Sequence, residues 1–138
     1  MIVATSLNAR LVGRLGPEAM LRRGSCVAAL AGLWLLLAAG QPALGWMGIA
    51  VGLLLFVSVT GMLGANAIAS LMALFPQRAG AAAALAVAGQ FGLGALASAL
   101  VGAMHDGSPM PMSLIVALCG VGSFAALRLA LRAESAVA

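Results

Sequence analysis

The sequence predicts an all-α membrane protein with four membrane-spanning helices, and three observations carry that prediction. The 138 residues are 64% hydrophobic and only 7% charged, with a mean hydropathy of +1.16. A soluble domain has about a quarter charged residues, because its surface must be hydrated. Two long runs, 43–75 and 79–104, contain no Asp, Glu, Lys, Arg or His. The apolar segments do not alternate at period two, which disfavours a membrane β-barrel.

Turn residues divide the apolar sequence into spans. Gln41-Pro42 ends the first span, and Pro76 with Arg78 forms a polar turn after the second. The turn 105–109, His-Asp-Gly-Ser-Pro, separates the third span from the fourth. At 1.5 Å per residue the second span would be roughly 48 Å long, so it must tilt, bend or project beyond a core of about 30 Å. The predicted spans are about 22–40, 44–75, 79–104 and 110–131.

The residues before the first span indicate further membrane structure. Residues 1–9 are apolar but too short to cross a bilayer, and no basic region precedes them as in a signal peptide. We therefore interpret them as the end of a fifth helix. Residues 10–21 form a basic loop, inside which Gly16-Pro17-Glu18 is typical of a helix start. We expect one membrane domain over 1–138, with no soluble domain.

All seven arginines fall on one side of this topology. Four lie before or at the start of the first span, one lies in the turn after Pro76, and two lie at the end of the fourth span. The turns 41–43 and 105–109 contain none. The positive-inside rule assigns the arginine-rich side to the cytoplasm. The sequence therefore predicts a bacterial-type inner-membrane protein with cytoplasmic N- and C-termini.

Composition also argues against several function classes. The net charge of +4 comes from arginines at the ends of apolar segments, which indicates topology and not nucleic-acid binding. His105 and Asp106 lie together in a turn, but no nucleophile or third catalytic member accompanies them, so we predict no enzyme. Cys26 and Cys119 show no metal-ligand spacing, and neither a metal nor a cofactor is expected.

Small residues recur every four positions in three of the spans and predict close helix packing, since lipid supplies no hydrophobic force between helices. Gly48 and Gly52 form a further pair. The three stripes are Gly24, Ala28 and Gly32; Gly61, Ala65 and Ala69; and Gly94, Ser98 and Gly102.

Two carboxamide side chains, Asn66 and Gln90, are the candidate functional residues. A carboxamide in hydrocarbon is costly unless it meets another helix or a watery cavity. One interpretation is an interhelical contact worth about 1 kcal/mol, and the other is a substrate-facing group in a transport cavity. Gln90 lies near the middle of its span, where transporters place their sites, whereas Asn66 lies closer to the cytoplasmic end.

Several segments of the sequence form a recognisable pattern by their order and spacing. The central ones are Gly64–Ala69, Phe75-Pro76, Ala79–Leu85 and Gln90–Gly92. The pattern also includes the basic segment 8–16 and the turn Asp106-Gly107 with Pro111-Met112. Together these segments resemble the C-terminal part of Bcr/CflA-type drug-resistance transporters of the major facilitator superfamily.

The resemblance implies that the four spans are helices nine to twelve of a twelve-helix bundle, and that residues 1–9 end helix eight. Family members exchange protons for drugs or small metabolites, and the helices equivalent to the second and third spans line or flank the cavity. The implied function is efflux of small, drug-like compounds across the lipid bilayer, as the C-terminal third of a transporter. Helices one to seven and their proton-coupling acid are not in this sequence, so the partner expected is the missing N-terminal half.

Two alternatives come from different classes of protein. One is a non-transporting, membrane-embedded interaction protein. The other is a small four-helix exporter that works as an oligomer, which is disfavoured because such exporters rely on a membrane-embedded Glu. Glu18 and Glu134 both lie outside the predicted spans.

Overall fold

The computed structural model describes residues 16–137, and within them the predicted all-α membrane architecture is confirmed. Four helices are long and apolar enough to cross a membrane. Two short 3₁₀ turns, Pro42–Leu44 and Pro76–Arg78, connect the first three, and the described part of the chain contains no strand. The helices are α1 (Pro17–Gly40), α2 (Gly45–Leu74), α3 (Ala79–Ala103) and α4 (Met110–Val137).

The helix ends follow the signals in the sequence. Helix α1 begins with Pro17 at its first position and Glu18 in its first turn, so the last five residues of the predicted loop 10–21 are helical. Gly16 precedes it at φ 78°, a conformation that favours glycine. Helix α2 is continuous for 30 residues. The rest of that loop and the predicted end of a fifth helix, residues 1–9, lie outside the described residues.

Helix α1 is the centre of the packing, and its small-residue stripe makes this possible. A Cβ built on Gly32 would lie 2.9 Å from the Cα of Ala117 in α4. One built on Gly120 of α4 would lie 2.7 Å from the carbonyl oxygen of Ala28. Because both distances are to backbone atoms, α1 and α4 approach closely enough that only glycine fits at these two positions. The packing role predicted for Gly24, Ala28 and Gly32 is confirmed.

Helix α2 packs against a different side of α1. A Cβ on Gly24 would lie 3.0 Å from a methyl of Leu63, and one on Gly52 would lie 2.9 Å from a methyl of Leu35. The indole N–H of Trp34 donates a hydrogen bond of 3.2 Å to the carbonyl of Gly48. The predicted pair Gly48 and Gly52 therefore serves the α1–α2 contact.

The other two predicted stripes do not pack within the described residues. Gly61, Ala65 and Ala69 are exposed, and a Cβ on Gly94 or Gly102 would meet no atom within 4 Å. Helix α3 has no buried residue, and large apolar side chains such as Leu85 and Phe91 are more than 70% exposed. A helix that is apolar all round requires lipid or other helices around it.

The arginines described by the structure lie at one end of the bundle. Gly24 of α1 lies beside Leu63 of α2, so the start of α1, with Arg22 and Arg23, lies in the same half of the bundle as the end of α2 and the turn containing Arg78. Gly120 beside Ala28 brings the second half of α4, with Arg128, to the same end. At the other end, the methyl of Met110 lies against Gly40.

We expect that arginine-rich end to face the cytoplasm. A fluorescent protein fused at Ala138 should therefore be bright, and alkaline phosphatase inserted in the turn 105–109 should be active, because that enzyme matures outside the cytoplasm. Fluorescence together with phosphatase activity checks the orientation. An active phosphatase at Ala138 with an inactive one in the turn would contradict it.

Candidate functional site

Asn66 lies on the side of α2 that packs against α1. It is 4% exposed, and the buried residues of α2 are Gly48, Gly52 and Asn66. Asn66 follows Gly48 by 18 residues, which is about five full turns, so both project from the same side of the helix. Gly24 of α1 lies beside Met62 and Leu63, which places Asn66 near the first turns of α1. This position matches an interhelical contact.

Gln90 lies near the middle of α3 and is exposed. A Cβ built on Gly64 of α2 would lie 3.6 Å from both the Oε1 and the Nε2 atoms of Gln90. The carboxamide therefore lies beside Gly64 of α2, and the residue is otherwise exposed. An exposed carboxamide at mid-membrane is costly against lipid, which favours a position facing a cavity or another polar group.

The structure does not bring the two candidate residues to one face of α2. Gly64, which lies beside Gln90, precedes Asn66 by two residues, and this spacing turns about 200° around a helix. Asn66 therefore projects from α2 towards α1, while Gln90 of α3 approaches α2 from nearly the opposite side. The prediction that both line a substrate site stays a prediction, and the geometry separates their environments.

Ser70 is a buried polar group that the sequence analysis did not single out. Its hydroxyl oxygen is buried and has no hydrogen-bond partner among the described residues. It lies one turn after Asn66 on the same side of α2. Serine and threonine in apolar helices normally donate to a carbonyl of the preceding turn. Ser25 and Ser113 do so, to Arg22 and Pro109. The sequence therefore gave no reason to expect an unpartnered hydroxyl at position 70.

The polar turns have structural explanations. Asp106 accepts hydrogen bonds from the hydroxyl of Ser108 at 2.7 Å and from its backbone N–H at 2.9 Å. These two bonds lower the pKa of Asp106 from its ordinary value. The carboxylate thus holds the turn before α4 in shape. At the opposite end of the bundle, an open pocket of about 460 Å³ is lined by residues 74–78, the end of α2 and the turn between α2 and α3.

The described residues contain no group of three or more His, Cys, Asp or Glu side chains that could hold a metal ion. Cys26 and Cys119 are both free thiols and both exposed.

Comparison with known proteins supplies the functional context for these helices. The chain is 36% identical over 121 residues to a bicyclomycin resistance protein homolog from Haemophilus influenzae. The chain is homologous to part of that protein. The match covers 88% of this chain and 30% of the length of the relative. It confirms the resemblance to the Bcr/CflA type.

No family model and no solved structure matches the chain. With four helices able to span a membrane, the chain is a multi-pass membrane protein related to part of a bicyclomycin resistance protein homolog.

Proposed function

We propose that this chain is the helix nine-to-twelve portion of a proton-coupled efflux transporter for small, drug-like compounds in the inner membrane. The observation that carries this proposal is the 36% identity over 88% of the chain to the bicyclomycin resistance protein homolog. The four apolar helices, the charge-free spans and the arginine-rich end all suit such a role. The partner that this chain requires for transport is the N-terminal half of the twelve-helix transporter.

Within this transporter, Gln90 is the residue that we propose to contact substrate. It lies at mid-helix, beside Gly64 of α2, and is exposed. A carboxamide can both donate and accept hydrogen bonds, which suits uncharged polar groups on varied compounds. Asn66 carries the same chemistry, but its burial on the α1 side of α2 favours an interhelical contact over direct substrate contact.

Proton coupling requires a titratable side chain within the membrane, and the predicted membrane spans of this chain carry no such carboxylate. Helices α2 and α3 contain no Asp, Glu, Lys or His. Glu18 lies in the first turn of α1, and Asp106 lies in an exposed turn. Proton-driven transporters use a titratable side chain within the membrane. The proton therefore has to be carried by a carboxylate elsewhere in the complete transporter.

A chimera tests this function. The aligned segment of the Haemophilus influenzae relative is replaced by this chain, and the product is expressed in a host that lacks its own efflux pumps. We expect the chimera to confer bicyclomycin resistance that disappears when an uncoupler abolishes the proton gradient. The 138-residue chain expressed alone should confer none, because it lacks the membrane carboxylate.

Expression and membrane insertion are measured for both proteins, so that absence of resistance is interpretable. A well-inserted chimera that leaves the host sensitive would contradict the proposed role. Proton-dependent resistance from the chain alone would refute the requirement for the other helices.

A further inference from the structure

The α1–α4 contact defines a register between the two helices. Gly32 lies against Ala117, and Gly120 lies against Ala28 and Ala29. As residue numbers rise along α1 they fall along α4, so the helices are antiparallel. Gly32 and Gly120 also mark the line along which each helix faces the other, because a Cβ at either would point into the partner's backbone.

This register places Arg22 and Arg128 at the same depth. Arg22 precedes Ala29 by seven residues, or about 10 Å along α1. Arg128 follows Gly120 by eight residues, or about 12 Å along α4. Since Ala29 and Gly120 are in contact and the helices are antiparallel, both displacements lead to the same end of the bundle. The two arginines are therefore level to within about one residue.

They also project from the same flank of the pair. Arg22 lies about 80° around α1 from Gly32, and Arg128 lies about 80° around α4 from Gly120 in the same rotational sense. Two antiparallel helices are related by a two-fold axis through their contact, so equal rotations lead to one flank. Helix α2 occupies the opposite flank of α1, because Gly24, which contacts it, lies about 80° from Gly32 in the other sense.

Apolar side chains continue this flank towards the membrane centre. Leu114, Val121 and Arg128 follow one another at intervals of seven residues along α4. On α1, Leu33 follows Arg22 by 11 residues, about three turns, and so projects on nearly the same side. Leu33, Val121 and Leu114 are 43%, 41% and 37% exposed. Together with the two arginines they form an open groove, which we call the α1–α4 groove.

The arginine-rich end of the groove is positively charged, and the position of one of its two guanidinium groups is held by an aromatic ring. The guanidinium of Arg128 lies 5.0 Å from the centroid of the Phe124 ring, which holds it over the aromatic face. Arg22 is exposed beside it. Of the acidic side chains that the structure describes, Glu18 lies at this end, one turn before Arg22, and Asp106 lies at the other. In the sequence, α1 and α4 carry four arginines and two glutamates, Glu18 and Glu134, near this end, so its net charge is positive.

We propose that the α1–α4 groove binds one anionic phospholipid. Its phosphate lies between Arg22 and Arg128, and one acyl chain lies along Leu33, Val121 and Leu114. Arginine pairs phosphate oxygens through two parallel N–H donors, so two guanidinium groups at one depth can grip a headgroup from both sides. The apolar wall below distinguishes a lipid from a free phosphate, since only the lipid gains from covering it.

Lipid binding by the full chain tests the proposal. The protein in mild detergent is titrated with phosphatidylglycerol, phosphatidylcholine or inorganic phosphate, and bound adducts are quantified by native mass spectrometry. The double variant R22Q/R128Q should bind phosphatidylglycerol about 25-fold more weakly, at about fivefold for each arginine near a membrane surface. Phosphatidylcholine should bind weakly to both proteins, and inorganic phosphate should give no adduct.

The matched control is R23Q/R78Q, which removes two arginines from the same end. Arg23 lies about 180° around α1 from Gly32, so it projects away from α4. This control should keep the wild-type affinity within about twofold, because neither arginine lies in the α1–α4 groove and exposed charges farther than about 10 Å from the headgroup are largely screened. Circular dichroism shows whether each variant keeps its helix content. The variant R22K/R128K changes the same two side chains while retaining their positive charge. Unchanged binding by R22Q/R128Q, an equal loss in the control, or phosphate adducts as strong as lipid adducts would each overturn the proposal.

Discussion

Replacing Gly120 by alanine should destabilise the bundle by about 1–3 kcal/mol, the usual cost of forcing extra atoms into a packed core. The new Cβ would lie 2.7 Å from the carbonyl oxygen of Ala28 and 3.2 Å from the Cα of Ala29. These are backbone atoms of α1, so no side chain can rotate away, and the two helices must separate. Unfolding of the full chain in micelles by heat or by denaturing detergent, followed by helix content, measures the effect.

Gly122 provides the matched control for this substitution. It lies two residues further along the same helix, and a Cβ there would meet nothing within 4 Å. Gly122→Ala should therefore be neutral or gain up to about 1 kcal/mol, because alanine favours a helix over glycine. Equal destabilisation by both variants would contradict the close α1–α4 contact. It would point instead to a general effect of side-chain bulk on α4.

Gly32→Ala, on the α1 side of the α1–α4 contact, should also destabilise the bundle. Its Cβ would lie 2.9 Å from the Cα of Ala117. The double variant with Gly120→Ala should cost less than the sum of the two single variants, since the helices separate only once.

The helices themselves could be predicted from sequence because the signals are local. Long charge-free runs, prolines at turn positions and a Gly-Pro-Glu start mark most of the helix ends. The exception is the end of α4, which continues to Val137, six residues beyond the predicted 131, because the polar residues after the span do not break the helix. The spans 44–75 and 79–104 agree with α2 and α3 to within a residue at each end. The sequence also indicated the early start of α1 at Pro17, through the proline and the acidic residue of its first turn.

Which stripe of small residues packs could not be predicted, because all three have the same spacing. Gly32 and Gly94 look alike in sequence, yet a Cβ on Gly32 would lie 2.9 Å from the backbone of Ala117, whereas a Cβ on Gly94 would meet nothing within 4 Å. The difference depends on which helix becomes the centre of the bundle. That is set by the pairing of α1 with both α2 and α4, a long-range property that helical periodicity does not encode.

The candidate site shows the same division between local and long-range information. Composition alone identified Asn66 and Gln90, since they are the carboxamides of the second and third spans. The neighbouring helix that each side chain faces could not be predicted without knowing which helices pack together. Asn66 is in line with Gly48 on the α1 side, whereas Gln90 lies against Gly64. Ser70 was missed because its hydroxyl departs from the bond that serines in helices usually form.

These two environments lead to opposite expectations for Gln90→Leu and Asn66→Leu in the bicyclomycin-resistance chimera. Gln90→Leu should alter which compounds the chimera exports while leaving its melting temperature unchanged. The physical reason is that the exposed carboxamide offers hydrogen bonds to substrate, and leucine fills a similar volume without them. Resistance to a panel of uncharged and cationic compounds, measured beside thermal unfolding, gives both readouts.

Asn66→Leu should show the reverse pattern. Its side chain is buried between α2 and α1, so the change removes an interhelical contact worth about 1 kcal/mol and lowers the melting temperature. The compounds exported should stay the same, because the residue lies on the side of α2 away from Gln90. An unchanged export profile for Gln90→Leu at normal expression would make that residue structural. A changed profile for Asn66→Leu without loss of stability would move the substrate contact to the α1 side of α2.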